Sequence, residues 1–439
     1  MRSTITRRKL LKASATGVAL ALATRWTRAA RPVGSNEKLN IAMIGIGGQG
    51  TGNLQRILAL DENVVAVCEV DSVRRDKAAQ MAKGAQKYLD YREMIEAHKD
   101  LDAVVISTPD HHHAPATIRA LRKGLHVYCE KPLTHTVEEA RIIAQTAAKM
   151  KLATQMGTQN HEHPGYLRTV ELIQDGAIGD VTEVHIVTDR PGNFWKQGMA
   201  RPAETPPVPP TLDWDRWLGP APARPYHPSY APFIWRGWWD FGTGAIGDMA
   251  IHLTDVAFWA LDLRGPVSVS TKGSPVMSDS GPTWMIATFD FPARGKLAPV
   301  KLFWYEGTAQ LPAAVAQFLP MNGSLFIGDK RMISIKHDFM PNLIFADTKR
   351  DYKPTPSSLP KSPGHHKQWI NACKTGSPTG SNFGYAGPFT EMVHLGNIAY
   401  RIDKPITYDP VKLEITNVPG ANALLRKKYR AGWEVAADA

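Results

Sequence analysis

A glycine-rich stretch near the start of the chain constrains the fold more than any other feature. It reads LNIAMIGIGGQGTGNLQRIL at 39–58, an apolar run that predicts a strand followed by a helical pattern. Gly45, Gly47 and Gly50 lie between the two in the spacing G-x-G-x-x-G. The first glycine permits a tight turn, the second lets the backbone approach a pyrophosphate, and the third lets the helix pack on the strand. We therefore predict the first unit of a dinucleotide-binding domain.

The next strand carries candidate ribose ligands. It reads NVVAVCEVD and ends in Glu69 and Asp71. Either carboxylate, or both, can accept hydrogen bonds from ribose hydroxyls and repel the 2′-phosphate of NADP. Arg74 and Arg75 follow at once, and an arginine here can hold that phosphate. The cofactor is therefore predicted to be NAD, with NADP as the alternative.

Strands and helices go on alternating over 38–158. A strand DAVVISTP at 102–109, a helix and a strand HVYCEKP at 126–132 follow one another. This alternation predicts a doubly wound parallel sheet with ligands at the strand ends. The polar strand ends supply further candidate cofactor contacts, namely Ser107, Thr108, Pro109, His113, Glu130 and Lys131.

Two motifs in this domain resemble a known family. TPDHHH at 108–113, followed by a helix and by CEKP at 129–132, is similar to the Gfo/Idh/MocA oxidoreductases, named for glucose–fructose oxidoreductase, inositol dehydrogenase and a rhizopine-catabolism protein. The similarity runs from about Lys38 to the end. It implies an α/β fold with an N-terminal Rossmann domain and a C-terminal α+β domain at 159–439. It also implies subunit contacts through the C-terminal sheet, and so a homo-oligomer.

The second half has its own sequence signals. Strands such as WMIATFDF, VKLFWY and SLFIGD predict an open, mainly antiparallel sheet. Before them lies a Pro- and Trp-rich loop at 191–241, and residues 248–261 predict a helix. Asp248, His252 and Asp255 recur on this helix at i, i+4 and i+7, which places them on one stripe. A carboxylate one turn before an imidazole can fix its tautomer and raise its basicity.

The resemblance assigns roles to these residues. Lys131, Asp248 and His252 match the family's catalytic lysine, aspartate and histidine, and Asp255 matches a supporting acid. His252 would take a hydroxyl proton while Lys131 stabilises the alkoxide. Gln159, Asn160, Asp248 and His252 are the candidate substrate contacts.

The predicted reaction is NAD(P)-dependent oxidation of a secondary alcohol on a sugar, a cyclitol or a sugar derivative. One alternative is a redox-assisted glycoside hydrolase or lyase that uses bound NAD in a redox-neutral cycle. A second alternative is a non-catalytic sugar-binding protein. The cysteines and the histidine-rich stretches lack ligand spacing, so no metal site is predicted.

The first 30 residues carry an export signal. TRRKLLK at 6–12, the weakly apolar ASATGVALALAT at 13–24 and the small residues around Arg28 resemble a twin-arginine signal peptide. This predicts interaction with the Tat export machinery and a periplasmic location. Twin-arginine export moves folded proteins, and no recycled nicotinamide pool exists outside the cytosol. The cofactor is therefore expected to be tightly bound before export.

The signal also explains the charge of the chain. The formal net charge is +11, and the first 30 residues hold seven basic and no acidic side chains. The remaining body, at +4, has no electrostatic footprint for nucleic acid, so no nucleic-acid partner is predicted.

Overall fold

The computed structural model describes residue 34 and residues 37–345, 352–353 and 355–435. The predicted signal peptide at 1–30 lies outside the described residues. No helix in the described part of the chain is both long enough and apolar enough to cross a membrane.

The N-terminal domain is built on a parallel sheet of six strands in the order β3-β2-β1-β4-β5-β6. Its strands are β1 (Asn40–Ile44), β2 (Asn63–Cys68), β3 (Gln86–Tyr88), β4 (Ala103–Ile106), β5 (His126–Glu130) and β6 (Thr154–Gly157). The intervening helices are α1 (Gln49–Ala59), α2 (Ser72–Met81), α3 (Tyr91–Ala97), α4 (Asp110–Arg122) and α5 (Val137–Met150). Strands β4, β5 and β6 are buried along their whole length. The predicted doubly wound sheet is confirmed.

The second domain contains a sheet of nine strands in the order β13-β12-β11-β7-β10-β9-β8-β14-β15. Strands β7 and β10 pair in parallel, and the other pairs are antiparallel. The strands are β7 (Val181–Thr188), β8 (Ser268–Gly273), β9 (Trp284–Phe291), β10 (Val300–Gly307), β11 (Gly323–Gly328), β12 (Met332–Lys336), β13 (Asn342–Ile344), β14 (Ile406–Asp409) and β15 (Glu414–Ile415). The predicted open, mainly antiparallel sheet is confirmed.

The helices of this second half cover one face of the sheet and the junction between the domains. They are α6 (Pro164–Gln174), α7 (Trp214–Leu218), α8 (Ile251–Leu253), α9 (Asp255–Ala260), α10 (Ala313–Ala316), α11 (His365–Thr375) and α12 (Phe383–Ile402). Short 3₁₀ turns occupy Gln159–Glu162, Ile234–Gly237 and Pro419–Leu425. Helix α11 returns to the N-terminal sheet, where Trp369 and Cys373 share a core with Leu39 and Tyr128.

The Pro- and Trp-rich loop at 191–241 folds on a small core of its own. Trp217, Tyr230, Trp238 and Phe241 are all buried there. Packing in this core accounts for the burial of Trp238. The loop therefore has a packed core and lies beside the N-terminal domain.

The helix predicted at 248–261 is interrupted. Residues Ile246–Ala250 form a π turn, and Thr254 separates α8 from α9. The carbonyl oxygen of Asp248 accepts a hydrogen bond from Lys131 Nζ at 3.2 Å. A carbonyl that faces a neighbouring ammonium is easier to accommodate in a widened turn, and such turns frequently occur at functional sites.

Candidate active site

A cavity of about 700 Å³ lies where the carboxyl ends of the parallel strands meet the second domain. One end is lined by the glycine-rich loop and the ends of β1, β2, β4 and β5. The other end is lined by side chains of the 191–241 loop, the π turn and the segment after β12. The two ends are called the cofactor end and the substrate end below.

Backbone forms the floor of the cofactor end. Gly45 has φ +78°, and a Cβ there would lie 2.9 Å from the backbone of Ser107 and Thr108. A Cβ on Gly50 would overlap the carbonyl oxygen of Gly45. Gly50 therefore lets α1 pack closely. It was predicted to contact the cofactor, but it does not line the cavity. The N-terminus of α1 faces the cavity, and this cradle of backbone N–H groups fits the pyrophosphate of NAD.

The two candidate ribose acids both line the cavity. The Glu69 carboxylate accepts hydrogen bonds from the backbone N–H of Ile46 at 2.8 Å and of Asp71 at 3.0 Å. Asp71 caps α2 by accepting from the Arg74 N–H at 3.1 Å. Glu69 is the stronger candidate for the ribose because a hydrogen bond to Ile46 holds its carboxylate at the glycine-rich loop.

Further along, the strand ends form the middle of the cavity. Ser107, Thr108 and Pro109 line it after β4. After β5, Glu130 Oε1 accepts hydrogen bonds from Asn53 at 2.8 Å and Gln159 at 3.1 Å.

His113 differs from its predicted role. Its ring is buried, with Nδ1 2.7 Å from the Pro132 carbonyl oxygen and Nε2 2.9 Å from the Thr108 carbonyl oxygen. It does not line the cavity, whereas His112 does. The helical turn of α4 directs His113 inward, where its ring bridges the carbonyls that follow two strand ends.

At the substrate end, Lys131 forms a half-buried ion pair. Its Nζ lies 2.5 Å from Asp248 Oδ1, and Arg236 Nε donates to the same oxygen at 3.3 Å. Burial opposes ionisation of Asp248, but the charges of Lys131 and Arg236 outweigh it and hold the pKa of this carboxyl well below its usual range. Asp248 is thus an anion that orients the lysine ammonium.

His252 lines the cavity beside this pair. We find no hydrogen bond between His252 and Asp248, in contrast to the expected carboxylate–imidazole pair, because Lys131 and Arg236 hold the Asp248 carboxylate. Within the described residues, His252 Nδ1 is buried without a hydrogen-bond partner. Burial, reinforced by the charge of Lys131, lowers the pKa of His252 well below its usual range. The imidazole is neutral at pH 7 and can accept a proton.

Asp255, the predicted supporting acid, faces away from His252. Its carboxylate accepts hydrogen bonds from His161 Nδ1 at 2.9 Å and from the Tyr385 hydroxyl at 2.7 Å. All three groups lie behind the cavity wall. Asp255 therefore supports α9 from the core side.

The two predicted substrate contacts at the start of the second domain behave differently. Gln159 lines the cavity and donates to the Tyr128 hydroxyl at 3.0 Å. Asn160 does not line it, because its Nδ2 lies 2.9 Å from His337 Nδ1. His337 lines the cavity, and its ring centroid is 5.5 Å from that of His252. Asn160 is therefore a positioning residue for His337.

Several residues of the substrate end were missed at the sequence level. They come from loops and from the segment after β12, and they comprise Arg190, Phe194, Trp195, Phe233, Arg236 and His337. Trp235 of the Pro- and Trp-rich loop lines the cavity with them. The density of tryptophans in the loop was the signal available; nothing in the segment around His337 marks it.

The histidine-rich stretches do not form a metal centre in the described part of the chain, where no three His, Cys, Asp or Glu side chains group suitably. His111 and His112 both pack on the Trp217 carbonyl oxygen, at 3.1 and 2.9 Å. His161 pairs with Asp255 as described above.

Comparison with known proteins identifies the family. Residues 39–158 match the model of the Gfo/Idh/MocA oxidoreductase family described as an NAD-binding Rossmann fold. Residues 167–297 match the family's C-terminal alpha/beta domain, and the two matches together span more than half of the chain. The chain belongs to the Gfo/Idh/MocA oxidoreductase family. The N-terminal domain is accordingly an NAD-binding Rossmann domain.

Curated relatives match this chain over part of its length. Inositol 2-dehydrogenase 4 of Saccharopolyspora erythraea is 30% identical over 190 residues, which are 42% of this chain and 55% of the relative. A glycosyl hydrolase family 109 protein of Shewanella pealeana is 30% identical over 158 residues, 33% of this chain and 34% of the relative. The chain spans about half or less of the length of these relatives.

Solved structures share the fold of this Gfo/Idh/MocA protein. The WlbA dehydrogenase of Bordetella pertussis, in complex with NADH and UDP-GlcNAcA, has a TM-score of 0.62 at 16% identity, covering 86% of this chain and 99% of that one. Levoglucosan dehydrogenase, in complex with NADH and levoglucosan, has a TM-score of 0.59 at 17% identity, covering 84% of this chain and 99% of that one.

Proposed function

We propose that this protein oxidises a secondary alcohol of a sugar or cyclitol by passing its hydride to NAD. The observation that carries the proposal is the Lys131–Asp248 ion pair beside the neutral imidazole of His252. These groups adjoin the end of β5, in the same cavity as the glycine-rich loop. Pure binding would need no proton acceptor at this place.

Each residue has a role in the proposed step. His252 accepts the hydroxyl proton, which it can do because it is neutral. Lys131 donates a hydrogen bond to the substrate oxygen and stabilises the negative charge that develops on it. Asp248 and Arg236 fix the ammonium, so that little reorganisation is needed. NAD, held by the glycine-rich loop and Glu69, supplies the hydride acceptor when bound.

The substrate class rests on the relatives. Inositol 2-dehydrogenases are named for a cyclitol substrate, and the WlbA and levoglucosan dehydrogenase structures hold UDP-GlcNAcA and levoglucosan. The Trp- and Phe-rich wall formed by Trp195, Phe233 and Trp235 suits the apolar faces of a sugar ring.

The test is a substrate screen with the purified chain and NAD. Inositols, hexoses, pentoses and their acids are offered, and formation of reduced nicotinamide is followed by absorbance. We expect turnover with one group of these compounds and its loss in Lys131→Met. Full turnover in that variant would remove the site assignment.

A redox-neutral glycoside cleavage is the second candidate, favoured by the similarity to the family 109 glycosyl hydrolase. It would use the same residues for a transient oxidation and return the hydride later. Aryl glycosides distinguish the two. Release of the aglycone without net accumulation of reduced nicotinamide supports cleavage, whereas accumulation in proportion to product supports the dehydrogenase.

We further propose the tight cofactor, the export route and the assembly expected from the sequence. Release of NAD(H), and not NADP(H), on denaturing protein purified without nucleotide would support a tightly bound NAD.

Replacing Arg7 and Arg8 by lysine should abolish appearance in the periplasm if the Tat machinery exports the chain. Light scattering tests the proposed homo-oligomer through the C-terminal sheet.

A further inference from the structure

The substrate end of the cavity has an imbalance of charge. When the adjoining Glu130 at the end of β5 is counted with the side chains of the substrate end, Lys131, Arg190 and Arg236 are positive, and Glu130 and Asp248 are negative. Arg74 and Arg216 lie at the cofactor end, where Arg216 pairs with Asp213 at 2.7 Å. The substrate end therefore keeps one formal positive charge in excess.

The excess charge belongs to Arg190. Lys131 and Arg236 both contact Asp248, and Glu130 is held by amide groups. Among the described residues, Arg190 has no ion pair, and its Nε is buried without a hydrogen-bond partner. Leaving donors of a charged group unpaired in a buried place is costly unless a ligand completes them.

The guanidinium is held in place without being neutralised. Arg190 follows the end of β7, and its guanidinium carbon lies 3.4 Å from the centre of the Phe194 ring. The neighbouring acid, Asp189, does not pair with it, because its carboxylate accepts from Asn322 at 2.9 Å and Asn193 at 3.2 Å. Stacking leaves the N–H edge of the guanidinium free for a ligand.

Arg190 is also close to the chemistry. Its charge adds to the depression of the pKa of both His252 and His337, for which burial is the larger cause. Both imidazoles are neutral, so neither adds charge beside Arg190. His337 offers a further hydrogen-bonding group on the same wall.

We propose that the substrate is a sugar acid whose carboxylate binds Arg190. This deepens the proposed function and rests on it. A carboxylate matches the planar fork of a guanidinium and carries the single negative charge that the excess requires. A phosphate ester would bring about two negative charges at neutral pH, more than this end of the cavity balances. Anchoring at Arg190 would hold the hydroxyl-bearing part of the sugar beside Lys131 and His252.

The test compares matched pairs that differ in the acid group. The NAD-loaded protein is offered galactose and galacturonate, glucose and glucuronate, and glucitol and gluconate, with glucose 6-phosphate as the phosphate probe. Two quantities are measured: kcat/KM for formation of reduced nicotinamide, and the dissociation constant by calorimetry with NADH-loaded protein. We expect at least one acid to have a kcat/KM about tenfold or more above that of its neutral partner and a dissociation constant about tenfold or more below it, as a charge-assisted hydrogen bond pair allows.

A variant then assigns the preference to Arg190. Arg190→Gln should lower binding of the acid by about tenfold and change binding of the neutral partner by less than about threefold. Arg190→Lys should keep part of the preference. The matched control is Arg201→Gln, which removes an arginine that pairs with Asp279 outside the cavity and should leave the preference intact.

The outcomes separate the two proposals. Equal binding of acid and neutral partners throughout, tighter binding of the phosphate, or equal losses for both partners in Arg190→Gln would each overturn the sugar-acid assignment. Selective acid binding without any nicotinamide reduction would support Arg190 and contradict the dehydrogenase. Turnover of neutral sugars alone would support the dehydrogenase and contradict the sugar-acid assignment.

Discussion

The cofactor end and the substrate end of one cavity are built by different means. The floor of the cofactor end is a backbone cradle, in which a turn at Gly45, the start of α1 and successive strand ends lie within about a fifth of the chain. The substrate end is made of side chains from Lys131 to His337, more than 200 positions apart. A backbone cradle suits a pyrophosphate, which backbone N–H groups can bind without any particular side chain. A set of side chains on loops can be changed without disturbing that cradle.

The largest effect is expected from replacing Lys131, which lies where the cofactor end and the substrate end meet. Lys131→Met removes the donor to the substrate oxygen and leaves Asp248 with Arg236 as its partner, so kcat should fall about 10³-fold. The NADH dissociation constant should change little, since the backbone cradle is intact. Steady-state turnover and fluorescence titration with NADH measure the two quantities. Lys123→Met, which removes a surface pair with Glu96, is the matched control. More than a tenth of normal turnover in Lys131→Met would contradict the assigned role.

The second prediction concerns the proton acceptor. His252→Gln should lower kcat/KM by about 10²-fold or more, because a general base contributes that much. His252 must be neutral to act, and its pKa is lowered in the folded protein. The rate should therefore be level around pH 7 and fall only in acid, as the imidazole is protonated.

The pH–rate profile of kcat/KM provides the measurement. His227→Gln, which changes a histidine bonded to Ser229 in the loop, is the control and should keep both the rate and the profile. A midpoint above the usual histidine pKa of about 6.5 would contradict the buried, neutral state of His252.

The contrast between the two ends also explains what could be predicted from sequence. Gly45, Glu69 and Lys131 were identified because strand, turn and helix follow one another locally, and local order determines where these residues lie. Asp248, His252 and Asp255 were predicted from helical spacing, although the helix is interrupted and Asp255 faces away from His252. Their partners were not, because spacing along one helix cannot show that Lys131 approaches Asp248 or that His161 approaches Asp255.

The remaining gaps have the same cause. Arg190, Arg236 and His337 reach the cavity through tertiary packing of loops, and no periodic pattern marks a loop residue. The widened turn at 246–250 contacts Lys131, which is more than a hundred positions away. His113 was predicted to contact the cofactor because it lies near a strand end in the sequence. The rotation of α4 that turns its ring inward is set by packing against the Pro132 and Thr108 carbonyls, which the sequence does not show.

The third prediction tests whether the backbone position of the glycine-rich loop determines the affinity for NADH. Gly50→Ala places a methyl group against the carbonyl oxygen of Gly45, so the loop must shift away from α1. The NADH dissociation constant should rise about tenfold, with kcat at saturating NAD falling less. Titration with NADH measures the first and steady-state kinetics the second. Gly52→Ala is the control, since its methyl group meets only the flexible end of Arg56 and should stabilise the helix by about 0.5–1 kcal/mol. Unchanged NADH affinity in Gly50→Ala would show that the loop tolerates displacement.

The smallest effect is expected at Arg236, which supports the substrate end from one step further away. Its Nε donates to Asp248 at 3.3 Å, a long hydrogen bond, while its guanidinium lies 4.3 Å from the Trp235 ring and 4.5 Å from the Phe233 ring. Lys131 keeps Asp248 charged when Arg236 is absent, so Arg236→Gln should lower kcat/KM by about fivefold, or about 1 kcal/mol. NADH affinity should not change. Steady-state kinetics beside Arg201→Gln measures the effect. A loss as large as that in Lys131→Met would mean that Arg236 contacts the reacting oxygen itself, and the roles of the two cations at Asp248 would have to be exchanged.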